Sequence, residues 1–294
     1  MSWSRARTLC AEGRVSVDGE RCLDPAARLD PGAVVVVNAH APRVAKGPLA
    51  PSAIVYADSE LVVVDKPAGM LSVADEDGTK DTLAEHTRTL LRRAGGRDGA
   101  LGVVHRLDRD TSGVMVFART PSAHKILAAQ FRAHDIERLY VALAHGAVEA
   151  ARIETHLLPD RGDGLRGSHG HFRRARAEPP PDAKRSVTFV TPVEALKGAT
   201  LVECRLETGR QHQIRIHLSE RGHPLLGERV YNRDYTGPVI EAPRTMLHAR
   251  TLGFLHPRGG QRVHFERDAP ADFMALVEAL RPRHARDASS SPRE

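Results

Sequence analysis

The amino-acid sequence predicts an α+β protein, in which a large strand-rich domain with a few helices follows a small module of one helix and a hairpin. Three observations predict it. Short runs, either alternating or continuously apolar and bounded by turn residues, recur between positions 54 and 265 as strands do. Helical patterns are fewer, and one opens on Thr120-Pro121, with Thr as N-cap and Pro at the first helical position. The Asp18-Gly19 pair is a hairpin signal, and the Pro-, Ala- and Gly-rich residues 39–52 set the first forty residues apart.

In that first module, Ala6, Leu9 and Cys10 fall at helical spacing and Gly13 ends the helix. Val15 and Val17 alternate into the hairpin turn, and Val34 to Val37 follow Asp30-Pro31-Gly32 as a closing strand. Arg5, Arg7 and Arg14 make the helical side basic. The stretch 39–52, with Arg43 and Lys46, has the composition of an exposed linker. Two short strands are then expected around Asp58-Ser59-Glu60, and the second, 61–64, is apolar throughout, as in a strand buried on both faces. Lys66-Pro67-Ala68-Gly69 forces a sharp exit, and a helix over 82–93 ends at Gly95-Gly96.

Residues 105–118, HRLDRDTSGVMVFA, hold the densest charge in the chain directly against an apolar run. An ionised carboxylate beside an apolar wall loses solvation that only a cation or donors can replace, so Asp108 and Asp110 are the first candidates for chemistry. Thr111, Ser112 and Gly113 supply the turn. Ala123, Ile126, Leu127, Gln130 and Phe131 form an amphipathic helix. The next strand, 138–145, puts Arg138 and Tyr140 on one face and Leu139, Val141 and Leu143 on the other.

Residues 159–185 read as a long basic loop carrying Arg161, Arg166, Arg173, Arg174 and Arg176. Strands follow at 187–194 and 200–207. The segment GRQHQIRIHL is ambiguous, since Ile214, Ile216 and Leu218 alternate as in a strand while Gly222 and Pro224 form a helix stop; a helix is favoured. Within it Arg215 lies between two isoleucines, and a buried guanidinium needs a carboxylate or phosphate. His212 and His217 lack the spacing of metal ligands on a helical face, so no metal is expected. Strands over 246–257 and 263–265, a helix over 270–280 and a disordered tail, 283–294, complete the chain.

The length of 294 residues allows one large domain plus a small one. Lys and Arg exceed Asp and Glu by 43 to 37, which points to a polyanionic partner, most simply nucleic acid. Three cysteines, Cys10, Cys22 and Cys204, with no metal-knuckle spacing, fit a reducing cytoplasm. No run reaches the roughly 18 apolar residues of a membrane span, and MSWSRARTLCAEGR has no secretory core.

SRARTLCAEGRVSVDG together with LDPGAVVVV resembles the alpha-L type RNA-binding domain of ribosomal proteins, here without the helix that usually precedes it. DKPAGMLS (65–72), HRLDRDTSGVMVFA (105–118), RLYVALAHG (138–146), TGRQHQIRIHL (208–218), GHPLLGERVY (222–231) and MLHARTLGFLHP (246–257) resemble, in order, the motifs of the RluA-type pseudouridine synthases. That resemblance implies a mixed, largely antiparallel curved sheet with flanking helices, and isomerisation of uridine to pseudouridine in structured RNA without a cofactor. It implies Asp108 as the catalytic aspartate, Tyr140 as the ring that stacks on the target base, Arg215 as the arginine paired with the aspartate, and Arg106 as the residue entering the RNA stack once the base has flipped out. His105, Arg138, Arg210 and His212 are expected at the RNA. Arg138 stands where Lys is usual and Glu228 where Asp is common. The expected organisation is a module over 1–40, a linker over 41–52, a catalytic domain over 53–282 and the tail. The expected substrate is ribosomal rather than transfer RNA, handled by a cytoplasmic monomer. A non-catalytic RNA-binding factor, and a hydrolase pairing Asp108 with Asp110, are the competing readings.

Overall fold

The structure, a computed structural model, describes residues 3–11, 14–18, 20–22, 25–27, 29, 31–38, 49–74, 81–95, 99–171 and 178–282. Contacts divide the chain into two units, Met1–Pro48 and Leu49–Glu294. The expected linker residues 41–48, Arg173, Arg174, Arg176 and the tail 283–294 lie outside the described residues.

The first unit is the helix, hairpin and closing strand that the sequence predicts. Helix α1 (Trp3–Ala11) buries Leu9 and Cys10, and strands β1 (Val15–Val17), β2 (Glu20–Cys22) and β3 (Val35–Val37) form an antiparallel sheet in the order β2-β1-β3. Asp18, at φ 50°, ties the hairpin to the closing strand: its amide donates to the Val34 carbonyl (2.9 Å), and its carboxylate accepts from the Val34 amide (2.8 Å).

The second unit contains β4 (Ile54–Ala57), β5 (Leu61–Lys66), α2 (Leu83–Arg93), β6 (Gly102–Val103), β7 (Ser112–Ala118), α3 (Pro121–Ala133), β8 (Glu137–His145), β9 (Ala151–Leu158), β10 (Gly167–Ser168), β11 (Lys184–Leu196), β12 (Ala199–Leu206), α4 (Gln213–Glu220), β13 (Leu247–Leu255), β14 (Arg262–Glu266) and α5 (Ala271–Leu280). Among the described residues one sheet runs β10-β9-β11-β12-β8-β13-β7-β5-β4, with β14 on β13 and β6 on β7. Its pairings are antiparallel except β7 with β13. The architecture is therefore α+β with a largely antiparallel sheet.

Residues 61–64 of β5 and 114–118 of β7 are apolar throughout because both faces of the sheet are covered. Val62, Val64, Met115 and Phe117 share a core with Leu83 of α2 and Ile214 and Leu218 of α4. Leu61, Val63, Val114 and Val116 pack on the other face with Ala123 and Leu127 of α3. Helix α5 adds Phe273 and Val277 against Val141 and Leu143. Leu49, within the stretch whose composition reads as linker, is buried in the first of these cores, while residues 50–52 are exposed. Within the stretch 159–185, residues 160–168 are more ordered than their composition suggests. Asp160 accepts from the amides of Gly162 and Gly164, Arg161 pairs with Asp163, and β10 adds a short strand to β9.

The parallel contact of β7 with β13 depends on Gly113. Its φ is +114°, and a Cβ there would lie 2.1 Å from the Ala249 carbonyl oxygen, a backbone atom held in the sheet. Gly113→Ala is therefore expected to cost roughly 3–4 kcal/mol, through strain and separation of the two strands. Urea unfolding of the purified variant measures this.

Candidate active site

Where β7 begins, the preceding loop is suspended from two buried cations. Lys66, fully buried at the end of β5, donates from Nζ to the carbonyls of Pro67 (3.1 Å), Arg109 (2.8 Å) and Thr111 (2.7 Å). Arg244, buried and paired with Asp272, donates to the carbonyl of Asp110 (3.0 Å). Three successive carbonyls, 109 to 111, thus point at positive charge and fix the turn. On the other side of Asp108, the Ser72 hydroxyl donates to the Leu107 carbonyl (2.8 Å) and accepts from the Leu107 amide (3.1 Å). Asp110 contributes to the turn through its carbonyl.

Helix α4 brings the opposing cation. Gln213 sets its start: the side-chain oxygen accepts from the Thr208 hydroxyl (2.9 Å) and the Arg210 amide (3.0 Å), and its nitrogen donates to the Val187 carbonyl and the Thr188 hydroxyl (both 3.0 Å). Two residues on, Arg215 Nη1 lies 3.3 Å from Asp108 Oδ2. Its other edge is held more firmly, with Nε 2.6 Å from Glu228 Oε2 and Nη2 2.8 Å from Oε1. Glu228 Oε1 also accepts from the amides of Arg229, Val230 and Tyr231. Burial opposes its charge, but the guanidinium and these amides together hold the Glu228 carboxyl below the usual carboxylate range. Burial likewise opposes the charge of Arg215, and the two carboxylates outweigh it, raising its proton affinity above the ordinary arginine value.

His212, at the N-cap of α4, adopts the left-handed conformation at φ 60°. That conformation is strained for a residue with a side chain. It puts Nδ1 2.7 Å from the Tyr231 hydroxyl and Nε2 3.7 Å from Asp108 Oδ1. Burial pushes its pKa down to about 4, Asp108 opposing and Arg215 assisting. Tyr140 of β8 is buried, and its hydroxyl is pushed up to about 12 by burial, with Arg138 working against the shift. Asp108, Tyr140, Arg138, His105, Arg106, Arg210, His212 and Arg215 all line one cleft of about 760 Å³.

Within the cleft the expected RNA contacts differ in kind. Arg106 is exposed at the surface. His105 instead stacks on Phe131 (centroids 4.6 Å apart) and accepts from the Val116 amide through Nε2 (3.1 Å), and burial pushes it down to about 3. Its contacts brace the cleft wall from within. His217 is taken up by two threonines, with Thr188 Oγ1 2.9 Å from Nδ1 and Thr155 Oγ1 3.0 Å from Nε2, and burial lowers it to about 4.

These three neutral histidines predict a pH response. Below the ordinary value of 6.5 the unfolded chain takes up protons that the folded chain refuses, so their contribution is whole above about pH 7 and is lost as pH falls toward 3–4. Urea unfolding free energy is expected to drop between pH 7 and pH 5 by up to roughly 2 kcal/mol for each histidine.

The family profile described as RNA pseudouridylate synthase matches residues 60–220, a span that contains Asp108, Tyr140 and Arg215. The chain belongs to this family. The enzyme is thus an RNA pseudouridine synthase, and an S4 domain profile matches residues 2–35. It is 36% identical to the ribosomal large subunit pseudouridine synthase D of Zymomonas mobilis over 292 residues, covering 95% of this chain and 90% of that protein. It is 36% identical to the protein of the same name from Pseudomonas aeruginosa, covering 95% and 88%. Its fold matches human RNA pseudouridylate synthase domain containing 4, with a TM-score of 0.63 and 21% identity over 78% of this chain and 93% of the other.

Three residues that position the synthase's cleft carry no motif-level signal of that role. Lys66 and Arg244 hold the Asp108 loop across 43 and 134 residues of sequence, and Glu228 holds Arg215 across 13. The available clue is chemical: a lysine closing an apolar strand and an arginine inside an apolar helix both require oxygen partners.

Proposed function

We propose that this synthase isomerises uridine to pseudouridine in large-subunit ribosomal RNA, with Asp108 as the catalytic residue. The observation that carries this reading is the approach of Asp108 Oδ2 to Arg215 Nη1, 3.3 Å, in a cleft that Tyr140 also lines. The RNA class follows the names of the relatives, both large-subunit ribosomal enzymes.

The reaction breaks the bond from C1′ to N1, turns the uracil, joins C1′ to C5, and exchanges the C5 proton for one on N1. It has no net redox change. Asp108 starts it either by adding to the sugar or base or by taking a sugar proton, and both routes need a carboxylate aimed by a neighbouring cation. Tyr140 stacks on the uracil while it turns, and Arg106, at the cleft surface, fills the gap in the RNA stack left by the flipped nucleotide. The fourfold set of Asp108, Tyr140, Arg215 and Arg106 comes from a single chain, which fits a monomer. Three cysteines outside any disulfide among the described residues, and a ribosomal substrate, fit the cytoplasm.

The test is tritium release from ribosomal RNA labelled at uracil C5, followed by mapping of pseudouridine in RNA from cells with and without the gene. Release from large-subunit RNA at defined positions is expected. Binding of that RNA without release would leave only the binding-factor reading.

A further inference from the structure

One buried cation of the cleft has no anion among the described residues. Arg138 is 7% exposed, and its one hydrogen bond among the described residues runs from Nη2 to the Glu207 carbonyl (2.8 Å). Its Nε is buried without a partner. Arg215 and Arg244, the comparable buried arginines, have Glu228 and Asp272; no carboxylate among the described residues lies in ion-pair range of Arg138. Taking a guanidinium out of water costs several kcal/mol unless a carboxylate or phosphate replaces the lost solvation.

The surroundings keep this place open and positive. Gly209 makes room for the head group, since a Cβ there would lie 2.3 Å from Arg138 Nη1. Arg210, the next residue, lines the same cleft, and after burial Arg138 and Arg210 both help to hold His134 below its ordinary pKa. Near Asp108 the balance is reversed, because two carboxylates, Asp108 and Glu228, share the single charge of Arg215. The cleft is therefore polar along its length. A uridine nucleotide has the matching asymmetry, a neutral base and ribose joined to a phosphate.

We propose that Arg138, with Arg210 beside it, is a phosphate subsite that takes the phosphodiester adjoining the nucleotide at Asp108. The subsite rests on the functional reading above and adds to it the part of the RNA that each region of the cleft holds. Bidentate pairing of a guanidinium with phosphate oxygens gives both charge and orientation. By fixing the backbone next to the target, it would hold C1′ against the carboxylate while the base turns.

Calorimetry on the full chain with uridine, uridine 3′-monophosphate and uridine 5′-monophosphate tests this without requiring turnover. One monophosphate is expected to bind at least about tenfold tighter than uridine, the preferred isomer identifying which phosphate is held. Arg138→Gln should bring its affinity to within about threefold of that of uridine. Gly209→Ala, which crowds the guanidinium from outside, should do the same, and thermal melting confirms that each variant is folded. Equal binding of all three probes, including no measurable binding of any, overturns the subsite, as does a phosphate preference that survives in both folded variants. Tritium release by the wild type alongside such a result leaves the functional reading standing. A phosphate preference without any release overturns that reading and leaves the subsite.

Discussion

Asp108→Asn is expected to abolish tritium release from C5-labelled RNA, with a fall in rate of about 10⁴-fold or more. The substitution keeps the shape of the side chain and removes the charge that the reaction uses. Its structural cost is small, because Arg215 keeps its firmer pairing with Glu228 and the side chain of Asp108 is already 20% exposed. Thermal stability and RNA affinity should therefore stay near wild type while turnover disappears. Asp110→Asn is the matched control. The turn uses the Asp110 carbonyl, through Arg244, so that variant should remain within about twofold of wild-type activity. A reversal of these two results would move the chemistry from one carboxylate to the other, and full activity in Asp108→Asn would end the assignment.

The elements were legible where burial follows a simple pattern. Strands β5 and β7 announce themselves as apolar runs because helices cover both faces of the sheet, and α3 is marked by Thr120, whose hydroxyl accepts from the Ala123 amide (3.1 Å). Helix α4 was ambiguous for a physical reason: Ile214, Arg215, Ile216, His217 and Leu218 are all buried, so no polar face reveals the helical period. Its stop at Gly222 was the usable signal. The motifs name Asp108 and its pairing with Arg215, but not the groups that hold either of them in place. The periodicity of α4 says that Arg215 is buried, and says nothing of a glutamate beyond the next turn. His105 illustrates the converse, since a histidine in a charged loop reads as a ligand contact, whereas its ring is committed to Phe131 and a β7 amide.

Glu228 carries the second large expected effect. Glu228→Ala leaves the guanidinium of Arg215 buried with Asp108 at 3.3 Å as its remaining carboxylate, and it strips an acceptor from three backbone amides. Breaking a buried pair on one side costs about 3–5 kcal/mol, so a large drop in the urea midpoint is expected together with loss of activity. Glu228→Gln separates the two consequences. The amide oxygen can still accept from the 229–231 backbone, so the stability loss should be smaller, on the order of 2 kcal/mol. Arg215, no longer held by an opposing charge, is free to turn fully onto Asp108, and kcat should fall while KM stays within about threefold. The double substitution Arg215→Met with Glu228→Met completes the test. Removing both charges together avoids an unpaired buried ion, so this variant should be more stable than Glu228→Ala alone and yet inactive. Were it as unstable as Glu228→Ala, the loss would come from the three backbone amides of the turn, and the ion pair would have little part in holding the fold.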